Sequence, residues 1–238
     1  MPYYYPVGLD LTGKVVLLVG GGTVAEGKID ALLEANASVT LVSPEVTSRL
    51  ADLAAKRRLS WKRRTFAPED LIGAFVVIAA TDQRDLNARI AALARSQSIL
   101  VNAVDDAPNC DFIAMSVIRR GELQVAISTG GASPAMARWV REELEAIVPD
   151  EFGPLLEVLG KVRAELKGAG RIPPYAVWSR AITPELLALV AAGDLEAAGH
   201  YLRAALGDAT KRTSWTGPHE EKPERGVKSA LSGSLPPS

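Results

Sequence analysis

The feature that most constrains the fold is a run of three glycines, residues 20–22, between an apolar segment and an amphipathic one. Residues 15–19 read VVLLV, which is typical of a strand buried on both faces. After the glycines, apolar residues recur at Ala25, Ile29 and Leu32, the spacing of one helix face. The segment GGGTVA therefore fits G-x-G-x-x-G/A in the strand–turn–helix context of a dinucleotide-binding fold.

The small residues of this motif predict a phosphate site. Gly20 would allow the tight turn, Gly22 would let the backbone approach a pyrophosphate, and Ala25 would permit close packing of helix against sheet. The helix N-terminus would present free N–H groups and a positive dipole end to the phosphates. The alternative is a glycine turn without a ligand.

The segment after the second predicted strand bears on the cofactor. An acidic residue about 20 positions beyond the glycines, which often holds the ribose 2′-hydroxyl, is missing. Ser43, Pro44 and Glu45 follow the strand instead, and Ser43 or Glu45 is a candidate to replace it from the loop. No arginine stands at the strand end, so we expect NAD rather than NADP.

The remaining periodicity indicates the fold class. Short apolar runs such as residues 75–80 and 99–104 alternate with amphipathic stretches, the pattern of a parallel sheet covered by helices. We therefore predict an α/β fold with a Rossmann-type doubly wound parallel sheet. A hairpin that turns at residues 119–122 follows, and helical periodicity then continues to about residue 206.

Composition excludes several classes of protein. The formal net charge of −1 gives no overall attraction to nucleic acid or anionic membranes. The single cysteine, Cys110, cannot form an internal disulfide, which favours a reducing compartment. The apolar runs are shorter than the roughly 18–20 residues of a membrane span, and the N-terminus does not read as a secretory signal. We expect a cytoplasmic protein with neither a nucleic-acid nor a membrane partner.

Polar residues follow two of the predicted strands. Thr81 and Asp82 come after residues 75–80, and Asp82 is either part of the ligand site or a helix cap. Asp105 and Asp106 follow the next strand, where two carboxylates beside a cofactor suit general acid–base work; turn formation before a proline is the alternative. Because neighbouring residues of an extended strand end point to opposite sides, we expect only one carboxylate to face the pocket.

A second glycine-rich loop precedes a helix that Ser133 and Pro134 should open. Such a loop either presents backbone N–H groups to carboxylates or phosphates, or is an ordinary linker. The loop residues are Ser128, Thr129, Gly130 and Gly131. No His/Cys cluster has metal-ligand spacing, so no metal site is predicted with certainty.

These motifs, in this order, resemble the precorrin-2 dehydrogenase/sirohydrochlorin ferrochelatase family, a module also found at the N-terminus of fused siroheme synthases. The matching segments are VVLLVGGGTVAEGK, VVIAATD, VNAVDDAPNCDFI and LQVAISTGGASPAMAR. The succession of NAVDD and STGGASP is the specific part. The resemblance extends over about residues 4–206 and suggests the stand-alone form of the module.

The resemblance implies NAD-dependent oxidation of a tetrapyrrole, precorrin-2, to sirohydrochlorin, and in some members insertion of Fe²⁺ as a further substrate. It implies Asp105 as the catalytic residue, which would also guide the ion if iron is inserted. The loop of residues 128–131 would contact the tetrapyrrole. The resemblance and the glycine motif together predict the cofactor-binding residues, which are Gly20, Gly22, Thr23, Val24, Ser43, Pro44, Glu45, Thr81 and Asp82.

The resemblance also implies a homodimer and a division into segments. We expect an NAD-binding domain (residues 1–112), a dimerisation segment (113–148), a small C-terminal helical domain (149–207) and a disordered tail (208–238). The apolar positions Met136, Trp139 and Val140 would lie in the dimer interface. The competing hypothesis is a Rossmann-type nucleotide-sensing domain without catalysis. A short-chain dehydrogenase is disfavoured because Tyr-x-x-x-Lys is absent.

Overall fold

The computed structural model describes residues 4–212, with side chains as far as residue 207. The disordered tail predicted over residues 208–238 was placed too early, because residues 208–212 are helical. The rest of that tail lies outside the described residues. The chain forms two compact units. Among the described residues, the first unit comprises residues 4–119 and 124–148, and the second comprises residues 120–123 and 149–212.

The first unit is built on a five-stranded parallel sheet in the order β3-β2-β1-β4-β5. The strands are β1 (Val15–Val19), β2 (Ser38–Val42), β3 (Ser60–Lys62), β4 (Val76–Ala79) and β5 (Leu100–Ala103). Leu17 in the central strand pairs with Thr40 on one side and Val77 on the other. β2 and β3 therefore lie on one side of β1, and β4 and β5 lie on the other. This confirms the predicted doubly wound sheet and leaves a crevice at the carboxyl ends beside β1.

Helices cover both faces of this sheet because alternate strand residues point to opposite sides. The helices of this part are α1 (Thr23–Glu34), α2 (Ser48–Ala55) and α3 (Arg84–Ser96), with 3₁₀ helices at Pro68–Leu71 and Ala107–Asn109. Leu18 packs in one core with Ile29 of α1, whereas Leu17 packs in the other core with Ile90 of α3. Both leucines are fully buried, as an uninterrupted apolar strand requires.

A two-stranded sheet and a helix follow the parallel sheet. They are β6 (Ser116–Arg120), β7 (Leu123–Ile127) and α4 (Pro134–Glu145). The predicted turn over residues 119–122 is too long, because β6 continues through Arg120 and Gly121 adopts a φ of +58° in a two-residue turn. The prediction for α4 is confirmed, since the Ser133 hydroxyl accepts the Met136 amide at 3.1 Å.

The second unit is helical. It contains α5 (Phe152–Gly168), α6 (Tyr175–Ala181), α7 (Pro184–Ala191) and α8 (Leu195–Arg212). Leu155, Leu186 and Leu202 belong to its core. Among the helices of the described chain, none is long and apolar enough to cross a membrane.

Candidate nucleotide and active site

A cavity of about 910 Å³ lies at the carboxyl ends of the parallel strands. It opens where the sheet order reverses, the usual ligand position in this class of fold. All nine residues predicted to bind the cofactor line it, and so does Asp105. The predicted positions that meet at this cavity are Gly20, Gly22, Thr23, Val24, Ser43, Pro44, Glu45, Thr81, Asp82 and Asp105.

The three positions of the loop after β1 require glycine for different structural reasons. Gly20 has a φ of +113°, and a Cβ there would stand 2.3 Å from the carbonyl oxygen of Ala80. The space beside Gly21 is smaller still, because a Cβ added there would stand 2.0 Å from the carbonyl oxygen of Glu45. The motif treats this second position as variable, so sequence reasoning missed the constraint. Both glycines let neighbouring backbone segments approach one another closely.

Gly22 differs from the other two glycines because a Cβ there would meet nothing within 4 Å. It is the N-cap residue of α1 and provides no side-chain cap for the helix. The amides of the first turn, which include Thr23 and Val24, have no partners within the helix. Open space beside helix N–H groups and the positive dipole end fits the pyrophosphate of a dinucleotide.

Ser43 and Glu45, the two candidates for the ribose contact, are in different situations. The Ser43 hydroxyl is engaged within its own loop, where it donates to the carbonyl oxygen of Glu45 at 2.6 Å. The Trp61 indole donates to the carbonyl oxygen of Ser43 at 2.9 Å and fixes the residue from the next strand. Glu45 is exposed on the cavity wall. Glu45 is therefore the better placed group to accept a ribose hydroxyl.

Asn87 is a cavity-lining residue that sequence reasoning missed. Its side chain is buried, accepts the Thr81 hydroxyl at 2.7 Å and donates to the Thr81 carbonyl oxygen at 3.0 Å. The available signal was a polar residue between Leu86 and Ile90 on the inner face of the predicted helix. The capping role considered for Asp82 is wrong, because the N-cap residue of α3 is Gln83.

Asp105 and Asp106 occupy distinct environments. Asp105 is exposed on the cavity wall with a φ of +57°, in a turn that follows the end of β5 at Ala103. Asp106 is only 6% exposed and accepts the Asn109 side-chain amide at 2.8 Å. The expectation of one carboxylate at the cavity therefore holds. The reason given for it was wrong, because a left-handed turn rather than an extended strand end separates the two side chains.

The segment after these aspartates is braced by Arg95 of α3. Its Nε donates to Asp111 Oδ1 at 2.8 Å, and its Nη2 donates to the carbonyl oxygen of Pro108 at 3.2 Å. The other Asp111 oxygen accepts the Val101 amide at 3.1 Å. These contacts tie the turn that carries Asp105 to β5 and α3.

Cys110 lies in the same braced segment. Its thiol donates to the carbonyl oxygen of Ala103 at 3.0 Å, and burial raises the pKa of the thiol. A protonated, partly buried thiol is a poor nucleophile, so Cys110 serves packing. In the described part of the chain, no group of three or more His, Cys, Asp or Glu side chains is arranged to hold a metal ion.

The second glycine loop does not line the cavity. Gly130 and Gly131 have φ values of +64° and +88° between β7 and α4. The Thr129 hydroxyl accepts the Ser133 amide at 3.2 Å and stabilises the entry into α4. Ser128 accepts the Gly130 amide at 3.1 Å. The tetrapyrrole contact expected of this loop stays a prediction.

Comparison with known proteins gives two family matches. Residues 7–116 match the family described as "Putative NAD(P)-binding", and residues 120–147 match "Sirohaem biosynthesis protein central". Siroheme synthase 1 of Pectobacterium atrosepticum is 40% identical over 205 residues, 85% of this chain and 43% of that protein. Siroheme synthase 3 of Aeromonas hydrophila is 44% identical over 164 residues, 69% of this chain and 35% of that protein. The chain thus spans less than half the length of these relatives.

A solved structure covers the chain more completely. SirC, a precorrin-2 dehydrogenase, superposes with a TM-score of 0.64 at 26% sequence identity. The match covers 87% of this chain and 100% of SirC. The similarity thus includes both the parallel sheet and the helical C-terminal part.

Proposed function

Because this chain belongs to the siroheme biosynthesis family of NAD(P)-binding proteins, we propose that it oxidises precorrin-2 to sirohydrochlorin with NAD⁺. The observation that carries the proposal is the meeting of the glycine loop and Asp105 at one cavity. A dinucleotide site alone would fit a sensor as well as an enzyme. An exposed carboxylate on the same cavity wall supplies the group that the chemistry requires.

The reaction removes two electrons and two hydrogens from the substrate. NAD⁺, when bound, supplies the hydride acceptor, and the second hydrogen leaves as a proton. Asp105 is exposed on the cavity wall and is the carboxylate proposed to accept or direct that proton. Positioned acid–base groups of this kind contribute about 10²–10⁴ in rate. Asp82 also lines the cavity, but it follows β4, the strand that lies between β1 and β5 in the sheet.

The residues present fit the nucleotide. Gly22 leaves open space at the start of α1, where Thr23 and Val24 would hold the pyrophosphate through backbone N–H groups. Glu45 would accept a ribose hydroxyl. Thr81, fixed by Asn87, would line the side of the cavity next to β4. Gly20, which has no Cβ, and Ser43, whose hydroxyl donates to the carbonyl oxygen of Glu45, act indirectly by holding the loops of the cavity wall together.

Insertion of ferrous iron is a further activity that the family resemblance allows. Iron would enter as a substrate and displace two pyrrole protons. Asp105 is the candidate to receive these protons or guide the ion, because it is the carboxylate proposed to face the tetrapyrrole. This part of the proposal depends on the position of the tetrapyrrole, which residues 128–131 would help to fix.

We also propose that the protein is a homodimer and that it is located in the cytoplasm. The exposed apolar side chains of Met136 and Trp139 on α4 support a surface that a second copy covers. A nucleotide sensor, the competing hypothesis, gains no support from the similarity to SirC along its whole length.

The test is an anaerobic assay that contains precorrin-2 and NAD⁺. We expect NADH to form in equal amount with sirohydrochlorin, both followed optically. Ferrous iron, added afterwards, should convert the sirohydrochlorin spectrum to that of siroheme if the second activity is present. NAD⁺ binding without any turnover of precorrin-2 would favour the sensor.

A further inference from the structure

Asp70, in the 3₁₀ helix Pro68–Leu71, is a buried charged residue that the proposed mechanism does not use. Its side chain is only 1% exposed. Oδ1 accepts Lys62 Nζ at 2.9 Å, and Oδ2 accepts Arg64 Nη1 at 2.6 Å and the Ala67 amide at 3.0 Å. Burial by itself would raise the pKa of Asp70, but the hydrogen bonds from Arg64, Lys62 and Ala67 lower it well below its usual range. The carboxylate is therefore charged at neutral pH.

Lys62 and Arg64, the two cations that Asp70 holds, do not line the cavity but are hydrogen-bonded to residues that do. The carbonyl oxygen of Lys62 accepts the Ser43 amide at 3.3 Å, and Arg64 Nη1 also donates to the Thr65 carbonyl oxygen at 2.9 Å. Both Ser43 and Thr65 line the cavity. The Lys62 and Arg64 side chains are 44% and 45% exposed, so both can reach solvent if they are released.

The chemistry that these cations suit is recognition of a phosphate. NADP differs from NAD by a phosphate on the adenosine 2′-oxygen, and dinucleotide-binding folds read that position beyond the second strand. Arginine and lysine are the side chains that bind such a phosphate. Beyond β2 this chain places Glu45, which carries the wrong charge. Among the described residues that line the cavity, Arg84 alone is cationic, and it enters from the β4 side.

We propose that Asp70 sets the cofactor preference, because it keeps Lys62 and Arg64 from a 2′-phosphate and so favours NAD over NADP. The inference rests on the proposed function in one respect, namely that the cavity binds a dinucleotide. Asp70 would act as a specificity-determining residue without contact with the nucleotide.

The physical reason is competition between two anions for the same cations. A 2′-phosphate can recruit Lys62 or Arg64 only if the buried Asp70 carboxylate gives up a charge-assisted hydrogen bond. The loss of such a bond at a buried charge is unfavourable, so the phosphate is left without a cation. In Asp70→Asn the side-chain oxygen can still accept the Ala67 amide. Both cations, however, lose their anionic partner and become available.

The test is calorimetric titration of NAD⁺ and NADP⁺ into the wild type and three variants. The wild type should bind NAD⁺ more tightly. Asp70→Asn should shift the ratio of the two dissociation constants toward NADP⁺ by at least about tenfold, the worth of one charge-assisted hydrogen bond. The triple variant with Lys62→Gln and Arg64→Gln added should lose that shift. Glu69→Gln, which removes an exposed charge from the same turn, should leave the ratio unchanged.

An unchanged ratio in folded Asp70→Asn, or equal affinities in the wild type, would overturn the inference while the proposed function stands. A wild type that binds neither nucleotide would overturn both. If Asp70→Asn does not fold, Thr65→Lys tests the same assignment, since it adds a cation to the cavity wall while Asp70 stays saturated. It should raise NADP⁺ affinity by about tenfold, and no change would refute the proposed location.

Discussion

The amide of Thr47 donates a hydrogen bond to the carbonyl oxygen of Gly21 at 2.9 Å, which joins the loop after β2 to the glycine loop after β1. The two loops approach so closely that a Cβ on Gly21 would lie 2.0 Å from the carbonyl oxygen of Glu45. Thr47 also caps α2, where its hydroxyl accepts the Leu50 amide at 3.3 Å. The wall of the cavity beyond β2 is therefore held in place by the glycine loop itself.

Gly21→Ala is expected to destabilise the protein, because its methyl group meets backbone that cannot move aside. We expect a loss of about 1–3 kcal/mol in the free energy of unfolding, measured by urea denaturation. Gly27→Ala in α1 is the matched control. Its Cβ would meet nothing within 4 Å, and it should stabilise the helix by about 0.5–1 kcal/mol. Equal stability of the two variants would contradict the tight approach.

Gly22→Val should have the opposite profile, with a preserved fold and lost nucleotide binding. The side chain enters space that is open in the protein but lies where the pyrophosphate is expected. Urea denaturation and circular dichroism should resemble the wild type, whereas calorimetric titration should detect no NAD⁺ binding. A folded variant with normal NAD⁺ affinity would show that the cofactor does not use this loop.

The contrast between these glycines shows what the sequence could predict. Gly20 and Gly22 belong to a local pattern, and the apolar run before them predicts a buried strand without further information. Gly21 depends on Glu45, which is distant in sequence, so its constraint exists only once the loops have met. The same applies to Asn87, whose place on the inner face of the helix could be predicted but whose hydrogen bonds to Thr81 exist only in the folded protein.

Asp105 shows a second limit of prediction from the sequence, which concerns the direction of a side chain. Its place after a strand, at the edge of the sheet, could be predicted from residues 99–104. The direction of its side chain depends on a φ of +57°, which an alternation rule does not give. The hairpin was likewise predicted, but its turn was made too long because Arg119 and Arg120 look like turn residues rather than strand residues.

Asp70 should make stability depend on pH in the acidic range. The pKa of its carboxyl group is lowered in the folded state, so its stabilising contribution is complete above the unfolded value of about 4 and falls as pH drops further. Asp70→Asn should lower the free energy of unfolding by about 1–3 kcal/mol at about pH 7. The difference from the wild type should shrink at about pH 3. A gap independent of pH would argue against an ionised Asp70, and Glu69→Gln serves as the control.

Trp139 should contribute to a homodimer. It is 54% exposed on α4, next to Met136, which is 48% exposed. Light scattering should give twice the chain mass of 25.3 kDa for the wild type, and Trp139→Glu should shift the equilibrium toward the monomer. Arg138→Gln, on another face of the helix, breaks only the ion pair with Glu142 and should remain dimeric. A wild-type monomer at micromolar concentration would contradict this prediction.

Asp105→Asn and Asp106→Asn should separate catalysis from structure. Asp105 is exposed at the cavity, and its amide replacement keeps shape and hydrogen bonding but cannot accept a proton. NADH production from precorrin-2 should fall by about two orders of magnitude or more, with NAD⁺ affinity unchanged. Asp106 accepts a hydrogen bond from Asn109 in a buried turn, so its variant should lose stability and much less turnover. Near-normal turnover in Asp105→Asn, or the larger catalytic loss in Asp106→Asn, would refute the assignment.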